Sequence, residues 1–252
     1  MNLHHGLGLL AAAGFVAGMM NAVAGGGSFV TFPALVAAGL PSVAANASST
    51  VALFPGQLTT AYAYREQLRD FDTLSMRLLV PLSLAGGVCG ALLLLLTPQS
   101  TFDRVIPWLL LAGTIAFAFG PRLGPDLRRF LRIGGRTLVV LQFMLAVYGG
   151  YFGGAVGILM LALWSIGLGL DPAGSNPMRV TQLAAVYLTA TVLFLFASDV
   201  LAAPLLPAGM LVGALVGGVA GAHLGRRLPA RLLRAVVLAT AVTMTVLYFL
   251  RG

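Results

Sequence analysis

The chain has no lysine, one cysteine and only seven acidic residues among 252. Each scarcity excludes something. Soluble domains carry roughly 25% charged residues; here 9% are charged and 59% apolar, with a mean hydropathy of +0.96. That composition belongs in a bilayer. Strand-type alternation is missing and long apolar runs replace it, so the spans are helices rather than barrel strands. Cys89 stands alone in an apolar run, which removes any disulfide framework or cysteine cluster and leaves the redox compartment unread. All 15 basic residues are Arg, as a genomic preference for Arg codons would give. The net charge of +8 falls mostly in short loops between spans. It suits a membrane surface and the lipid bilayer, with no nucleic-acid partner. No Arg or Lys precedes Gly6, so the start lacks the basic n-region of a signal peptide and the first apolar segment is expected to stay.

The shortage of acids has the widest consequence. Glu66, Asp70, Asp72, Asp103, Asp126, Asp171 and Asp199 all fall in expected loops or at segment ends. The membrane interior therefore offers no carboxylate to bind a proton or cation. His4 and His5 are terminal, and His223, which closes a segment, is read as an interfacial residue before a proton relay. Neither a Ser-His-Asp arrangement nor metal-ligand or phosphate-loop spacing is present, so no enzyme, cofactor or metal site is expected.

What is present is glycine in telling places. Gly25-Gly26-Gly27-Ser28 breaks an apolar stretch, and Gly153-Gly154-Ala155-Val156-Gly157 echoes it in the second half. A glycine run at membrane depth frees backbone amides, which must then line protein or a polar cavity. The same break in both halves points to the substrate site of a duplicated transporter. Ten apolar segments follow: 7–24, 27–40, 43–64, 78–97, 105–120, 137–156, 157–170, 180–198, 204–224 and 230–250. A spanning helix needs about 20 residues, so 27–40 and 157–170 read as half-helices or re-entrant hairpins. Matching Gly27 to Gly157 also brings Gly39 onto Gly169, Leu40 onto Leu170 and Asn46 onto Asn176, and one extra residue after Leu170 brings Thr50 onto Thr181.

Ten segments place Arg65, Arg69, Arg77, the Arg122 to Arg136 cluster, Arg179, Arg226, Arg227, Arg231 and Arg234 on one side, leaving Arg104 and Arg251 opposite. By the positive-inside rule both termini lie outside. The expected fold class is thus an all-α polytopic membrane protein with two inverted repeats. Each has a glycine-broken first pair plus three spanning helices. Residues 1–120 form the first repeat, the basic loop 121–136 a cytoplasmic linker, and 137–252 the second repeat.

The polar residues entering the membrane are neutral: Asn21, Ser28, Asn46, Ser48, Ser49, Thr50, Gln57, Thr59, Thr60, Gln142, Thr181, Gln182 and Thr189. Donors plus exposed helix N-termini, with no acids, suit an anion. The competing reading is that they are helix caps and interhelical hydrogen bonds. The expected substrate-binding set is Asn21, Gly25, Gly26, Gly27, Ser28, Asn46, Ser49, Thr50, Gln57, Gly153, Gly154, Gly157, Asn176, Arg179, Thr181 and Gln182. Arg179 stays open between an anion ligand and an interfacial anchor. A cation in the first turn of a helix is locally disfavoured, and a bound anion would relieve that. Gly213, Gly217, Gly221 and Gly225 recur every four residues and read as a close-packing face, as do Gly14/Gly18 and Gly86/Gly90.

The stretch Gly18 to Tyr64, with Asn21-Ala-Val-Ala-Gly-Gly-Gly-Ser28, Phe32-Pro33, Gly39-Leu40-Pro41 and Asn46-Ala47-Ser48-Ser49-Thr50, resembles the opening half of the sulfite exporter TauE/SafE family. These are also called toluene sulfonate uptake permeases. The second half is similar in outline from Gly149 to Thr181. The resemblance implies a bacterial or archaeal inner-membrane transporter of sulfur-containing or other small organic anions. Ala155-Val156 and Pro177-Met178-Arg179 depart from the family pattern. Both bear on substrate choice and leave sulfite itself open. Missing intramembrane carboxylates favour export, by one half rocking against the other. A permease for a carboxylate or other non-sulfur solute is the alternative. A non-transporting scaffold, assembling partners through the Gly213–Gly225 face, is a further one. Homo-oligomerisation is compatible with all three.

Overall fold

A computed structural model describes residues 3–23, 25–68, 75–130, 133–171, 174–198, 200, 204–224 and 230–251. These form α1 (Leu3–Val23), α2 (Ser28–Ala37), α3 (Ser42–Tyr64), α4 (Met76–Leu96), α5 (Gln99–Phe130), α6 (Gly135–Tyr151), α7 (Val156–Leu168), α8 (Asn176–Ala197), α9 (Leu205–Leu224) and α10 (Ala230–Arg251). No strand occurs among the described residues. Each expected apolar segment has its helix. The boundary that moves most is the end of α5, which continues to Phe130, so the stretch expected as a loop from 121 is helical over most of its length. Pro121 and Pro125 each remove one amide, and Gly124 costs about 1 kcal/mol in propensity. None of these is an obligatory stop. Residues 131–132 of the linker, with Gly225, Arg69 and the Arg226-Arg227 pair, lie outside the described residues.

The two short helices behave as the spacing requires. α2 has 10 residues and α7 has 13, about 15 and 20 Å at 1.5 Å per residue, against a hydrocarbon core of about 30 Å. Both end alike. Gly39 and Gly169 turn left-handed (φ 101° and 67°), and the next amides, of Leu40 and Leu170, reach back to the carbonyls of Leu35 and Trp164. With the Gly39 amide on Val36 O the α2 end is a Schellman closure, whereas the Gly169 amide on Ser165 O gives α7 the simpler αL cap. Both need a residue without a Cβ penalty at positive φ, which accounts for the paired Gly-Leu in the sequence.

The outer surface is apolar, and a set of polar side chains is buried within an otherwise apolar core. Leu92, Leu93, Trp108, Phe119, Val140, Met144, Val192 and Phe196 are exposed, whereas Asn21, Ser28, Asn46, Ser48, Gln57, Gln142, Arg179 and Gln182 are buried. Among the described residues, five helices hold stretches long and apolar enough to cross a membrane: Gly6–Val23, Met76–Leu96, Gln99–Phe119, Asn176–Ala197 and Leu205–His223. α3 has the length, at 23 residues, but its buried Asn46, Ser48, Ser49, Thr50, Gln57 and Thr60 make one side polar. That side faces the interior of the bundle, while Leu58 and Tyr62 near the end of α3 are exposed.

Helix pairing is symmetric under exchange of α1–α5 with α6–α10. α1 packs on α9 as α6 packs on α4; α3 on α9 as α8 on α4; α2 on α10 as α7 on α5; α3 meets α8 and α5 meets α10. Glycine sets the closest of these contacts. A Cβ on Gly14 or Gly18 would strike the carbonyls of Met210 or Ala214, and one on Gly213 or Gly217 those of Ala11 or Phe15. Between α4 and α6, a Cβ on Gly90 or Gly150 would strike the carbonyls of Val147 or Gly87, and one on Gly86 the Ala146 side chain. Residue numbers rise together along both pairs, so α1 is parallel to α9 and α4 to α6. Along α5 and α10 they run oppositely: Trp108 stacks edge-on with Phe249, and Thr114 bonds Thr245. The Gly213–Gly221 face is therefore occupied by α1 within the chain, which removes the surface on which the scaffold alternative depended.

Candidate functional site

Two helix N-termini and one buried cation meet where the chain breaks. After α1, Gly25 and Gly26 are both left-handed (φ 78° and 91°), and α2 starts at Ser28. After α6, Gly153 and Ala155 take the same conformation (φ 77° and 58°) before α7 starts at Val156. Ala155 is the non-glycine exception, and holding it there costs about 1–3 kcal/mol. The structure thus matches Gly25 with Gly153 and Gly27 with Ala155. Gly27 does not correspond to Gly157, as the spacing suggested. Glycine runs are self-similar, so their register is fixed by where the helices begin and not by which glycine is counted.

The breaks touch. A Cβ on Gly25 would lie 3.8 Å from the Gly157 Cα. Between them stands the Arg179 guanidinium: Nη1 would be 2.7 Å from a Cβ on Gly25 and 2.9 Å from one on Gly157. Arg179 is fully buried, at 0% exposure. Interfacial anchoring, one of its two open readings, is excluded by that burial. Removing it from the loop count leaves the Arg bias between the two sides intact. Its Nε and Nη2 donate to Asn176 Oδ1 (2.9 and 2.6 Å), and Nη2 also donates to the carbonyls of Asn21 (3.1 Å) and Ala22 (3.4 Å). Those carbonyls close α1, whose C-terminal dipole end favours a cation. This offsets the repulsion expected in the first turn of α8. Nη1 has no hydrogen-bond partner. Among the described residues the recorded salt bridge is Arg65–Glu66 at the surface, so no carboxylate neutralises Arg179.

Asn46 does in the first half what Arg179 does in the second. Its Nδ2 donates to the carbonyl of Tyr151, 2.7 Å away at the end of α6, while Oδ1 is buried and unpartnered. Since α3 starts at Ser42 and α8 at Asn176, Asn46 corresponds to the neighbourhood of Arg179, and the expected pairing of Asn46 with Asn176 gives way. The loop before α8 is longer than that before α3, and the sequence alignment misplaced the extra residues.

The other expected residues separate into two groups. Asn21 Oδ1 accepts from the Gly27 amide at 2.8 Å and braces the first break. Ser28, the first residue of α2, turns its hydroxyl to Tyr187 at 3.3 Å; Gly153 faces both, since its Cβ would lie 3.4 Å from Ser28 Oγ and 3.1 Å from the Tyr187 hydroxyl. Ser49 pairs with Thr31, and Gly154 lies against the Phe152 ring. Thr50 and Thr181 do not reach the junction as donors, because their hydroxyls return to their own helices at Asn46 O (3.2 Å) and Pro177 O (3.0 Å). Gln57 donates to Val180 O at 3.0 Å, and Gln182 accepts from Ser83 at 2.7 Å, tying α8 to α4. Tyr187 and Thr31 were missed. Tyr187 lies two turns beyond Arg179 on the stripe also holding Leu183, and that periodicity was the available signal. Among the described residues no group of three or more His, Cys, Asp or Glu could hold a metal.

Fold and site together define an all-α, multi-pass membrane protein with a buried, positively charged junction at two broken helices. The chain belongs to the sulfite exporter TauE/SafE family, whose model matches residues 10–248. It is similar to a probable membrane transporter protein of Sinorhizobium (33% identical over 156 residues, 61% of this chain and 58% of the relative). One of Haemophilus influenzae is 32% identical over 158 residues (61% and 60%). The probable membrane transporter protein YfcA of Escherichia coli K12 is 28% identical over 152 residues (60% and 56%). The match thus spans under two thirds of each relative's length. No solved structure matches the chain.

Proposed function

We propose that this chain is a secondary transporter moving a small anion, of the sulfur-oxyanion class its family is named for, outward across a bacterial or archaeal inner membrane. The observation that carries the proposal is Arg179: buried, without an acid partner, its Nη1 free between Gly25 and Gly157. A buried guanidinium with open N–H groups next to helix N-termini is a site for an anionic oxygen. Direction follows from charge. Moving one elementary charge across the membrane is worth about 2.3 kcal/mol per 100 mV, so anion efflux from a negative interior runs downhill.

The halves are read as inverted repeats. α5 and α10 are counterparts under the pairing symmetry, and two counterparts that pack antiparallel are related by an axis across them, in the membrane plane. The glycine-packed contacts join α1 to α9 and α4 to α6, so the bodies that rock to give alternating access are these cross-half groups rather than the two sequence halves. Radiolabelled sulfite loaded into proteoliposomes should leave faster than from protein-free vesicles; an unchanged rate counts against sulfite, and the same assay with small carboxylates then decides the class. In cells, with Cys89→Ser as background, cysteines at Asn2 and Gly252 should both react with an impermeant thiol reagent. Labelling of one terminus alone rejects the five-plus-five topology.

A further inference from the structure

We infer that the Arg179 site never crosses the membrane empty, so that transport is an exchange of one small anion for another. The inference rests on the transport reading above. Arg179 remains charged at any accessible pH. It lies in the first turn of α8, against Gly157 in the first turn of α7 and beside Gly25 before α2, so three positive helix ends converge on it. Against these stand the last carbonyls of α1 and the Asn176 amide oxygen, which satisfy Nε and Nη2 and leave Nη1 bare.

In a carrier with a buried acid, that acid could move in as a substitute counter-charge once substrate departs. Here no carboxylate among the described residues pairs with Arg179, and Asn46, its counterpart across the pairing symmetry, is neutral. A vacant return step would therefore carry an unpaired buried cation, whose desolvation penalty is heavy. A second anion entering from the far side removes that penalty. The requirement is for a small anion able to meet Nη1, so chloride suffices on the return leg. The membrane potential then drives export only by the charge the outgoing anion carries in excess of the incoming one, as for doubly charged sulfite against chloride.

The full chain in proteoliposomes loaded with radiolabelled sulfite, with the membrane potential clamped at zero, would be diluted into sulfite, chloride or the bulky anion gluconate. Efflux into sulfite or chloride should exceed efflux into gluconate by about tenfold or more. Equal rates in all three media overturn exchange and leave the transport reading standing. Efflux no faster than from protein-free vesicles overturns sulfite transport instead, and unfolding measurements in detergent then decide the charge argument. Replacing gluconate by chloride should raise the unfolding midpoint of the wild type and of Arg179→Lys, because a ligand of the folded state stabilises it, while Arg179→Gln loses the response. A wild-type midpoint indifferent to chloride overturns the inference, even if Arg179→Gln fails to fold.

Discussion

In the first half a neutral amide, Asn46, caps the end of α6; in the second a guanidinium, Arg179, caps the end of α1. The two side chains do the same mechanical work, reaching from the third helix of one half to the last carbonyls of the other half's first helix. They differ in charge. Two halves whose helices pair alike thus share one capping device while differing in the charge they bury.

The largest effect should come from closing the breaks. Gly25→Val puts a β-branched side chain at positive φ and onto Nη1, and Gly157→Val crowds Arg179 and Leu183. Each should reduce flux on the order of a hundredfold or more while the protein still reaches the membrane. Near-normal flux in both would reduce the breaks to packing features. Arg179→Gln comes next. Exchanging a charge-assisted hydrogen bond for a neutral one costs about 1–3 kcal/mol, or roughly five- to a hundredfold in anion affinity; an unchanged affinity at matched expression would leave the site to neutral donors. Asn46→Ala removes one buried neutral bond, worth about 0.5–1.5 kcal/mol, and should change apparent affinity by about two- to tenfold. An effect as large as that of Arg179→Gln would erase the functional asymmetry between the halves. Thr181→Val should be the mildest, within about a factor of two, because its hydroxyl bonds Pro177 O in its own helix.

Much of the architecture was legible because hydropathy, glycine and proline act locally. The ten segments, the short α2 and α7 and their Gly39 and Gly169 ends follow from run length and backbone sterics alone. What escaped depends on three-dimensional partners. Arg179 sits next to a loop in sequence, and burying it requires the last carbonyls of α1, more than 150 residues earlier, to arrive beside it. No local signal records that. The two-residue register error at the breaks arose because Gly25-Gly26-Gly27 offers several equivalent alignments, while the match is fixed by the helix starts at Ser28 and Val156. Thr50 and Thr181 looked like free donors; their return to the helix backbone is an option open to any threonine in a helix.

The interlocked glycine contacts also set the order of assembly during synthesis. α1 is made early, yet its closest partner, α9, emerges nearly 200 residues later. Until then the Gly14–Gly18 groove must face lipid or a chaperone, and α6, by contrast, finds α4 already waiting. The first five helices made alone should thus lack a stable partner for α1 and be prone to degradation. Co-expressing the second five would supply that partner.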